Sequence, residues 1–258
     1  MITTNALSPK EQREVFRNNL DTKSTSGMCD GFVQANLVIL PKEYAFDFLL
    51  FAHRNPKPCA LVDVMEAGVV KPNIADADIR TDLQKYNIYK DGKFVEEVND
   101  ITSYWRDDFV TFLIGCSFTF ERALNEAGIE MLHQKMDKTV SMYVTNIECD
   151  PAGVFHGPTV VSMRPVRKEL LVKSVEVTAK YPHTHGTPLH IGDPSVIGIT
   201  DITKPDFGDF VPYDEDKYEP VFWACGVTPQ AVALKSKPSI MISHVPGHMF
   251  ISDQKEIL

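Results

Sequence analysis

The chain has 258 residues, enough for one large domain or two closely packed ones around a sizeable core. Its net charge of −9 argues against a nucleic-acid backbone as the main partner, and no apolar run is long enough to predict a membrane-spanning helix. The N-terminus lacks the basic and apolar segments of a signal peptide, and the five cysteines form no CxxC pair. We therefore predict a cytoplasmic protein with free thiols, without a cofactor, a bound metal or a membrane contact.

The first hundred residues carry strong local signals. Ser8-Pro9-Lys10-Glu11 is a capping box with proline at the first helical position, so a helix should run to about Asn19. The polar run Thr22–Gly27 lacks the residue order of a phosphate-binding loop and is interpreted as a connection. Periodicity and turn residues predict a helix over Pro41–Arg54, a strand over Leu61–Met65, and a hairpin at Asp91-Gly92 between Tyr86–Lys90 and Lys93–Val98.

The middle of the chain is predicted to be rich in β-structure. Asp107–Gly115 is an apolar run whose type the periodicity leaves open, and Phe118–Ala127 is predicted as a helix ending at Gly128. Three strands are predicted, at Val140–Ile147, Thr159–Met163 and Val175–Tyr181. We assign residues 136–181 to the β-rich part of a smaller lobe, and residues 1–135 and 182–258 to the main α/β lobe.

The last forty residues predict a strand, a short helix and a second strand, over Pro220–Ala224, Thr228–Lys235 and Ser239–Ser243. Thr228 should be the N-cap with Pro229 at the first helical position. The natural pairing of the two strands is parallel, which would bring both carboxyl ends to one sheet edge where ligands bind. That edge would carry six candidate residues, namely Cys225, Gly226, Thr228, His244, Gly247 and His248.

A second candidate site lies at Gly115-Cys116-Ser117-Phe118, between an apolar run and a helix. A thiol at a helix N-terminus has a lowered pKa, although a buried, inert cysteine is the commoner outcome. Arg164 ends an apolar strand and could clamp a carboxylate, as could Arg80. Arg80 is better explained by a salt bridge to Asp78 or Asp82.

Three histidines, His183, His185 and His190, lie within eight positions. They suit a metal site, although no HExxH pattern accompanies them and histidines that donate to loop carbonyls explain them equally well. A metal-dependent hydrolase is therefore one alternative function. A small-carboxylate-binding protein without turnover is another, and a homodimer is the default assembly.

Ordered motifs along nearly the whole chain resemble those of one family. They include Asn55-Pro56-Lys57-Pro58-Cys59, Gly115-Cys116-Ser117-Phe118-Thr119-Phe120-Glu121, Val161-Ser162-Met163-Arg164-Pro165, His185-Gly186-Thr187-Pro188-Leu189-His190-Ile191-Gly192-Asp193-Pro194 and Phe222-Trp223-Ala224-Cys225-Gly226-Val227-Thr228-Pro229-Gln230. Together they resemble the D-glutamate cyclase family. Ala60 and Leu83 stand where the family pattern has proline, and the resemblance carries over no catalytic residues.

The resemblance implies an α/β fold, with a layered α/β lobe and a second smaller α+β lobe. It also implies a hydro-lyase acting on a small carboxylate, as in closure of D-glutamate to 5-oxo-D-proline. That reaction needs a base, a proton donor and a group that holds a carboxylate. The catalytic candidates are Cys116, Ser117, Glu121, Cys225, His244 and His248. The substrate-binding candidates are Arg164, His190, Asp193, Gly226, Thr228 and Gly247.

Overall fold

The computed structural model describes residues 7–20 and 23–256, in which six α-helices accompany two antiparallel sheets. The strands are β1 (Phe32–Pro41), β2 (Leu61–Met65), β3 (Tyr86–Lys90), β4 (Lys93–Val98), β5 (Phe109–Gly115), β6 (Ser141–Glu148), β7 (Pro158–Arg167), β8 (His190–Ile191), β9 (Tyr218–Ala224), β10 (Ile240–His244) and β11 (Phe250–Lys255). The helices are α1 (Pro9–Arg17), α2 (Lys42–Arg54), α3 (Phe118–Glu126), α4 (Leu132–Lys135), α5 (Leu171–Thr178) and α6 (Thr228–Ser236). The fold is thus mixed α/β with two lobes, as expected.

The first sheet has the order β2-β5-β1-β10-β3-β4, with β11 also paired to β1. β1 is its central strand. Its second half, Leu37–Pro41, is continuously apolar because both faces of the strand are covered. Leu37 and Ile39 pack on one face, while Val38 and Leu40 pack on the other face beneath Phe48 of α2. Burial of one such side chain stabilises the fold by about 2 kcal/mol.

One edge of β1 has two successive partners, which leaves a gap in the ladder. β10 pairs with Val38 and Ile39, and β11 pairs from Ala35 toward the start of β1. The intervening residues 245–249 leave the sheet beside Leu37. The loop that carries two predicted site histidines is therefore an excursion at the middle of a buried strand.

The second sheet has the order β6-β7-β9-β8. One face of β7 and β9 packs with α3 and α5 around Phe120, Leu124 and Trp223. The opposite face packs around Tyr143, Met163 and Phe222. β7 therefore holds alternate side chains in two separate cores, and Arg164 is on the same face as the α3 core.

Several local predictions are confirmed. Ser8 forms the capping box with Glu11, and α2, β2 and the hairpin at Asp91 lie where the sequence places them. The apolar run Asp107–Gly115, whose type the periodicity leaves open, forms strand β5, and α3 ends before Gly128. Residues 1–6, on which the signal-peptide prediction partly rests, and Thr22 lie outside the described residues.

Two predictions are wrong. Val175–Tyr181 is not a strand, because most of it belongs to α5, whose buried Ser174 and Thr178 recur at helical spacing and override the β-propensity of the valines. The parallel pair is also absent from the described strands, since β9 lies in the second sheet and β10 in the first. α6 is buried from Thr228 to Ala233 because it runs between the two sheets instead of covering one.

The sheets divide the chain at other points than the predicted lobes. The second sheet takes its strands from residues 141–224, so β8 and β9 join it although both lie after residue 182. The assignment of whole lobes to residue ranges remains a prediction. No helix in the described part of the chain is long and apolar enough to span a membrane.

Candidate active site

A buried ion pair between Arg164 of β7 and Glu121 of α3 lies where the second sheet meets α3. Both side chains are 1% exposed, and Arg164 Nε is 2.9 Å from Glu121 Oε1. The guanidinium also donates to Ser117 Oγ at 3.0 Å and Ser162 Oγ at 3.1 Å. It lies over the ring of Trp223 at 5.7 Å. This network fixes the orientation of Arg164, because each of its nitrogens has a partner.

Glu121 is also bound from the opposite side. Ser26 Oγ donates to Glu121 Oε2 at 2.6 Å, Gln134 Nε2 donates to the same oxygen at 2.9 Å, and His133 Nε2 is 3.2 Å from Oε1. Burial alone would raise the pKa of Glu121, but His133, Arg164 and these hydrogen bonds outweigh it and lower the pKa to about 2. The carboxylate therefore stays ionised in a site that excludes water.

Ser26 and Gln134 also line a polar cavity of about 440 Å³. Its wall further includes Ser24, Lys138, Thr139 and Asp209, with Lys23 and Asp137 among the remaining lining residues. The cavity is therefore one hydrogen bond away from the Arg164–Glu121 pair. We call it the Ser26 cavity.

The loop between β10 and β11 is attached to the same cavity. Thr25 donates from its backbone to the Gly247 carbonyl at 2.9 Å, and its hydroxyl accepts from the Met249 backbone at 3.0 Å. A side chain at Gly247 would collide with Thr139 and approach Ser24, which both line the cavity. Glu121 and the loop containing Gly247 therefore contact the wall of one cavity, although no predicted site residue lines it.

His244 closes the gap in the ladder of β1. Its Nδ1 lies 3.2 Å from the Leu37 backbone nitrogen and 3.4 Å from the Leu37 carbonyl oxygen, so the Leu37 backbone can bind either neutral tautomer of the ring. Nε2 is buried without a hydrogen-bond partner among the described residues. Burial lowers the pKa of His244 to about 3, so the ring is neutral at physiological pH. His248 is held differently, by a hydrogen bond between Nδ1 and Gln84.

Cys116 and Cys225 lie in one apolar cluster with Phe118 and Met249. The predicted lowered thiol pKa is wrong in direction, because burial raises the pKa of Cys116 well above its usual range and that of Cys225 to about 11. A protonated thiol is a poor nucleophile. The geometry therefore favours these cysteines as packing residues of an apolar cluster.

Gly226 and Thr228 lie where the start of α6 packs against the two sheets. A side chain at Gly226 would overlap the Asn36 amide on β1. The prediction of Thr228 as N-cap is wrong, because Val227 occupies that position and the Thr228 hydroxyl donates to the Cys225 carbonyl at 2.7 Å. Thr228 therefore faces the strands, and its hydroxyl does not cap the helix.

His185 lies against the Asn55–Cys59 motif. Its Nδ1 donates to the Lys57 carbonyl at 2.6 Å, so Nε2 carries a lone pair and has no hydrogen-bond partner in the described structure. Burial lowers the pKa of His185 to about 4, although the nearby carbonyls of Lys57 and Gly115 oppose this effect. The residue lies at φ 82°, a region that side chains rarely adopt.

The three histidines of the metal-site alternative each have a different contact. The His183 carbonyl covers Gly115, His185 is bound to Lys57, and His190 donates from Nε2 to the Asp193 carbonyl at 2.7 Å. Among residues 7–20 and 23–256, no three His, Cys, Asp or Glu side chains come together as a metal site. The geometry therefore does not bring the three rings to a common metal position.

His190 and Asp193 lie apart from the other candidates. The His190 ring packs 5.8 Å from that of Phe222, on the face of the second sheet opposite to Arg164. Asp193 is exposed and accepts from the Ser195 backbone. Arg80 forms the expected salt bridge with Asp78. None of these side chains borders the Ser26 cavity.

Three residues of the network were not predicted from the sequence, namely Ser26, His133 and Gln134. Ser26 belongs to a run interpreted as a connection, while His133 and Gln134 lie on the four-residue helix α4. They are separated from Ser26 by more than 100 positions. No spacing rule links such residues, because only the tertiary fold brings them together.

A cavity larger than the Ser26 cavity, of about 660 Å³, lies elsewhere, between α2 and the turn at Pro182. Its lining is mainly apolar, with residues such as Phe46, Leu49 and Leu61, and it contains no Lys, Arg, Asp or Glu. Size alone would favour this cavity, but a charged substrate needs polar groups that fix its orientation. The Ser26 cavity is therefore the better candidate for a small carboxylate.

The sequence profile described as D-glutamate cyclase matches residues 110–253. A relative from Oceanobacillus iheyensis is 59% identical, over 97% of this chain and 99% of its own. The chain belongs to the D-glutamate cyclase family. The YcsI protein of Bacillus subtilis, a further family member, is 56% identical over 97% of this chain and 98% of its own. Both relatives bear the name "Putative hydro-lyase", which supports a lyase.

Among solved structures, a nitrogen repressor-like protein from Methanococcus jannaschii covers 92% of both chains, with 13% identity and a TM-score of 0.40. This likeness is too low to support a functional argument.

Proposed function

We propose that this family member is a hydro-lyase that closes D-glutamate, or a closely related amino dicarboxylate, to its lactam. One observation carries the proposal: the hydrogen-bond partners of Glu121 line a polar cavity, and the loop containing Gly247 lies against two other residues of its wall. Family membership supplies the reaction class, and the cavity supplies a location with charged and hydrogen-bonding groups.

The reaction balances without an added reagent. The amine nitrogen bonds to the γ-carboxyl carbon, and one γ-oxygen leaves as water after taking two protons that the ammonium group gives up. The protein has to move those protons and to stabilise negative charge on the γ-oxygens. We assign proton transfer to the loop histidines, His244 and His248, and charge stabilisation to Arg164.

A neutral imidazole is suited to this task. His244 is neutral because of its burial, and in the tautomer that accepts from the Leu37 N–H the proton on Nε2 is available to a developing oxyanion. Arg164 contributes a fixed positive charge in a low-dielectric environment, where charges act more strongly than in water. Cys116 and Cys225 are assigned a packing role.

The decisive experiment follows the γ-oxygens. D-glutamate carrying ¹⁸O at both γ-carboxylate positions is incubated with the protein, and 5-oxoproline is measured by chiral chromatography and mass spectrometry. We expect product of D configuration that carries one ¹⁸O and accumulates in proportion to protein concentration. Binding of D-glutamate without formation of 5-oxoproline, and without hydrolysis of 5-oxo-D-proline to D-glutamate, would favour the binding protein without turnover.

A matched pair of variants on β7 locates the activity. Arg164→Lys keeps the charge but loses the planar fork that holds Glu121 and Ser117, so we expect turnover to fall about 100-fold. Arg167→Lys, at the exposed end of the same strand, should turn over normally. Equal rates for both variants would place the activity elsewhere.

A further inference from the structure

The Ser26 cavity carries charges of both signs at fixed positions. Lys138 Nζ donates to the Phe210 carbonyl at 2.6 Å, and Asp209 Oδ2 accepts from the Thr139 backbone at 2.8 Å. A second pair, Lys23 and Asp137, is 3.6 Å apart and strongly exposed. The cavity therefore has two cations and two anions, which sets it apart from a protein surface with a net charge of −9.

Backbone hydrogen bonds position Lys138 and Asp209. Residues 139 and 209 exchange two hydrogen bonds, because Asp209 N also donates to the Thr139 carbonyl at 3.1 Å. The Ser141 hydroxyl donates to the Asp209 carbonyl at 2.6 Å. Lys138 and Asp209 are consequently brought to the same wall by a link between the start of β6 and the loop before β9. Side chains fixed in this way lose little further freedom when a ligand binds.

The remaining wall offers hydrogen bonds without net charge. Ser26 and Gln134 already bind Glu121, and Ser24 and Thr139 add hydroxyl groups beside Gly247. A ligand with one positive and one negative group would meet complementary charges at Asp209 and Lys138. A ligand with only negative groups would face the Asp209 carboxylate.

We infer that the Ser26 cavity recognises an α-amino acid as a zwitterion, with its ammonium group at Asp209 and its α-carboxylate at Lys138. The side chain of the amino acid then extends toward Ser26 and the buried Glu121–Arg164 pair. The volume of about 440 Å³ is sufficient for a molecule of the size of glutamate. This inference rests on the proposed function only for the identity of the amino acid.

The test removes one charge at a time, first from the ligand and then from the protein. Binding is measured by calorimetry for three ligands: D-glutamate, glutarate, which lacks the amine, and γ-aminobutyrate, which lacks the α-carboxylate. Each is measured with the unmodified protein, Asp209→Asn and Lys138→Met. The matched control is Lys135→Met, because Lys135 lies three positions away, pairs with Glu130 and does not line the cavity.

We expect Asp209→Asn to weaken D-glutamate about tenfold and not to weaken glutarate, which has no ammonium group and is repelled by the Asp209 carboxylate. Lys138→Met should weaken D-glutamate about tenfold and leave γ-aminobutyrate unchanged. Lys135→Met should bind all three ligands as the unmodified protein does. Thermal unfolding of each variant, measured in parallel, shows whether a loss of binding reflects a loss of fold.

Equal losses for all three ligands in a folded variant would overturn the inference, as would unchanged D-glutamate binding in both cavity variants. The outcome is independent of turnover. If the charge pattern holds but no 5-oxoproline forms, the cavity assignment stands and the proposed reaction fails. If product forms at the normal rate in Asp209→Asn and Lys138→Met, the reaction stands and the cavity assignment fails.

Discussion

Glu121 should contribute much of the stability of the contact between α3 and the second sheet. Glu121→Gln keeps the shape of the side chain but leaves the Arg164 guanidinium buried without a counter-charge. The fall of the Glu121 pKa from 4.5 to about 2 corresponds to roughly 3 kcal/mol of favourable interaction with the ionised form. Breaking one partner of a buried pair typically costs about 3–5 kcal/mol, so we expect a loss of that order.

The assay is equilibrium unfolding in guanidinium chloride at pH 7, followed through the fluorescence of the two tryptophans, of which Trp223 packs beside Arg164. Glu126→Gln is the control, because Glu126 pairs with Arg122 on the exposed surface of the same helix. That change should alter the free energy of unfolding by less than about 1 kcal/mol. Replacing both members of the buried pair, as Glu121→Leu with Arg164→Met, should recover much of the loss.

The same ion pair makes a prediction about acid stability. Because the folded-state pKa of Glu121 lies below the unfolded value, its contribution is complete above about pH 4.5 and is lost as the pH falls toward about 2. Glu121→Gln should therefore lose less stability than the unmodified protein over that interval. A variant within about 1 kcal/mol of the unmodified protein at pH 7, with the same acid dependence, would refute the reasoning.

Three further predictions concern single positions. His185, whose folded pKa of about 4 lies below its ordinary value of 6.5, should make stability fall from pH 6.5 toward pH 4, and His185→Asn should flatten that fall in pH-dependent unfolding. Gly115→Ala would place a methyl group 2.0 Å from the His183 carbonyl oxygen, and should cost more in Tm than Gly128→Ala, which meets nothing within 4 Å and is strained only by its φ of 85°. Cys116 should resist alkylation at pH 8 in the native protein and react after unfolding, as read by mass spectrometry.

Local structure was predictable where a few adjacent residues determine it. The capping box at Ser8 and the turn at Asp91-Gly92 need no partner from elsewhere in the chain, so the sequence indicates them directly. α5 shows the limit of such reasoning. Its valines favour a strand, yet the helix forms because Leu171 and Val177 pack onto the core around Trp223.

The pairing of strands was not predictable from their order. A strand, a short helix and a strand suggested one parallel unit, but β9 and β10 join different sheets, both antiparallel to their neighbours. The helix between them is buried on nearly all sides, which the sequence of α6 indicates only through its small and apolar residues. A buried linker between two sheets and a crossover on one sheet have similar sequences.

Two of the candidate residues, Gly226 and His244, are nevertheless linked through other residues. Gln230 of α6 donates to the His244 carbonyl at 2.8 Å, and Gly226 lies against Asn36, next to the Leu37 amide that binds His244. The junction of two sheets therefore places Gly226 near His244, whereas the sequence had placed both on one shared sheet edge. Residues at the ends of successive elements tend to meet wherever the connecting helix is short. Such a connection limits how far the two strand ends can separate, whichever sheet each strand joins.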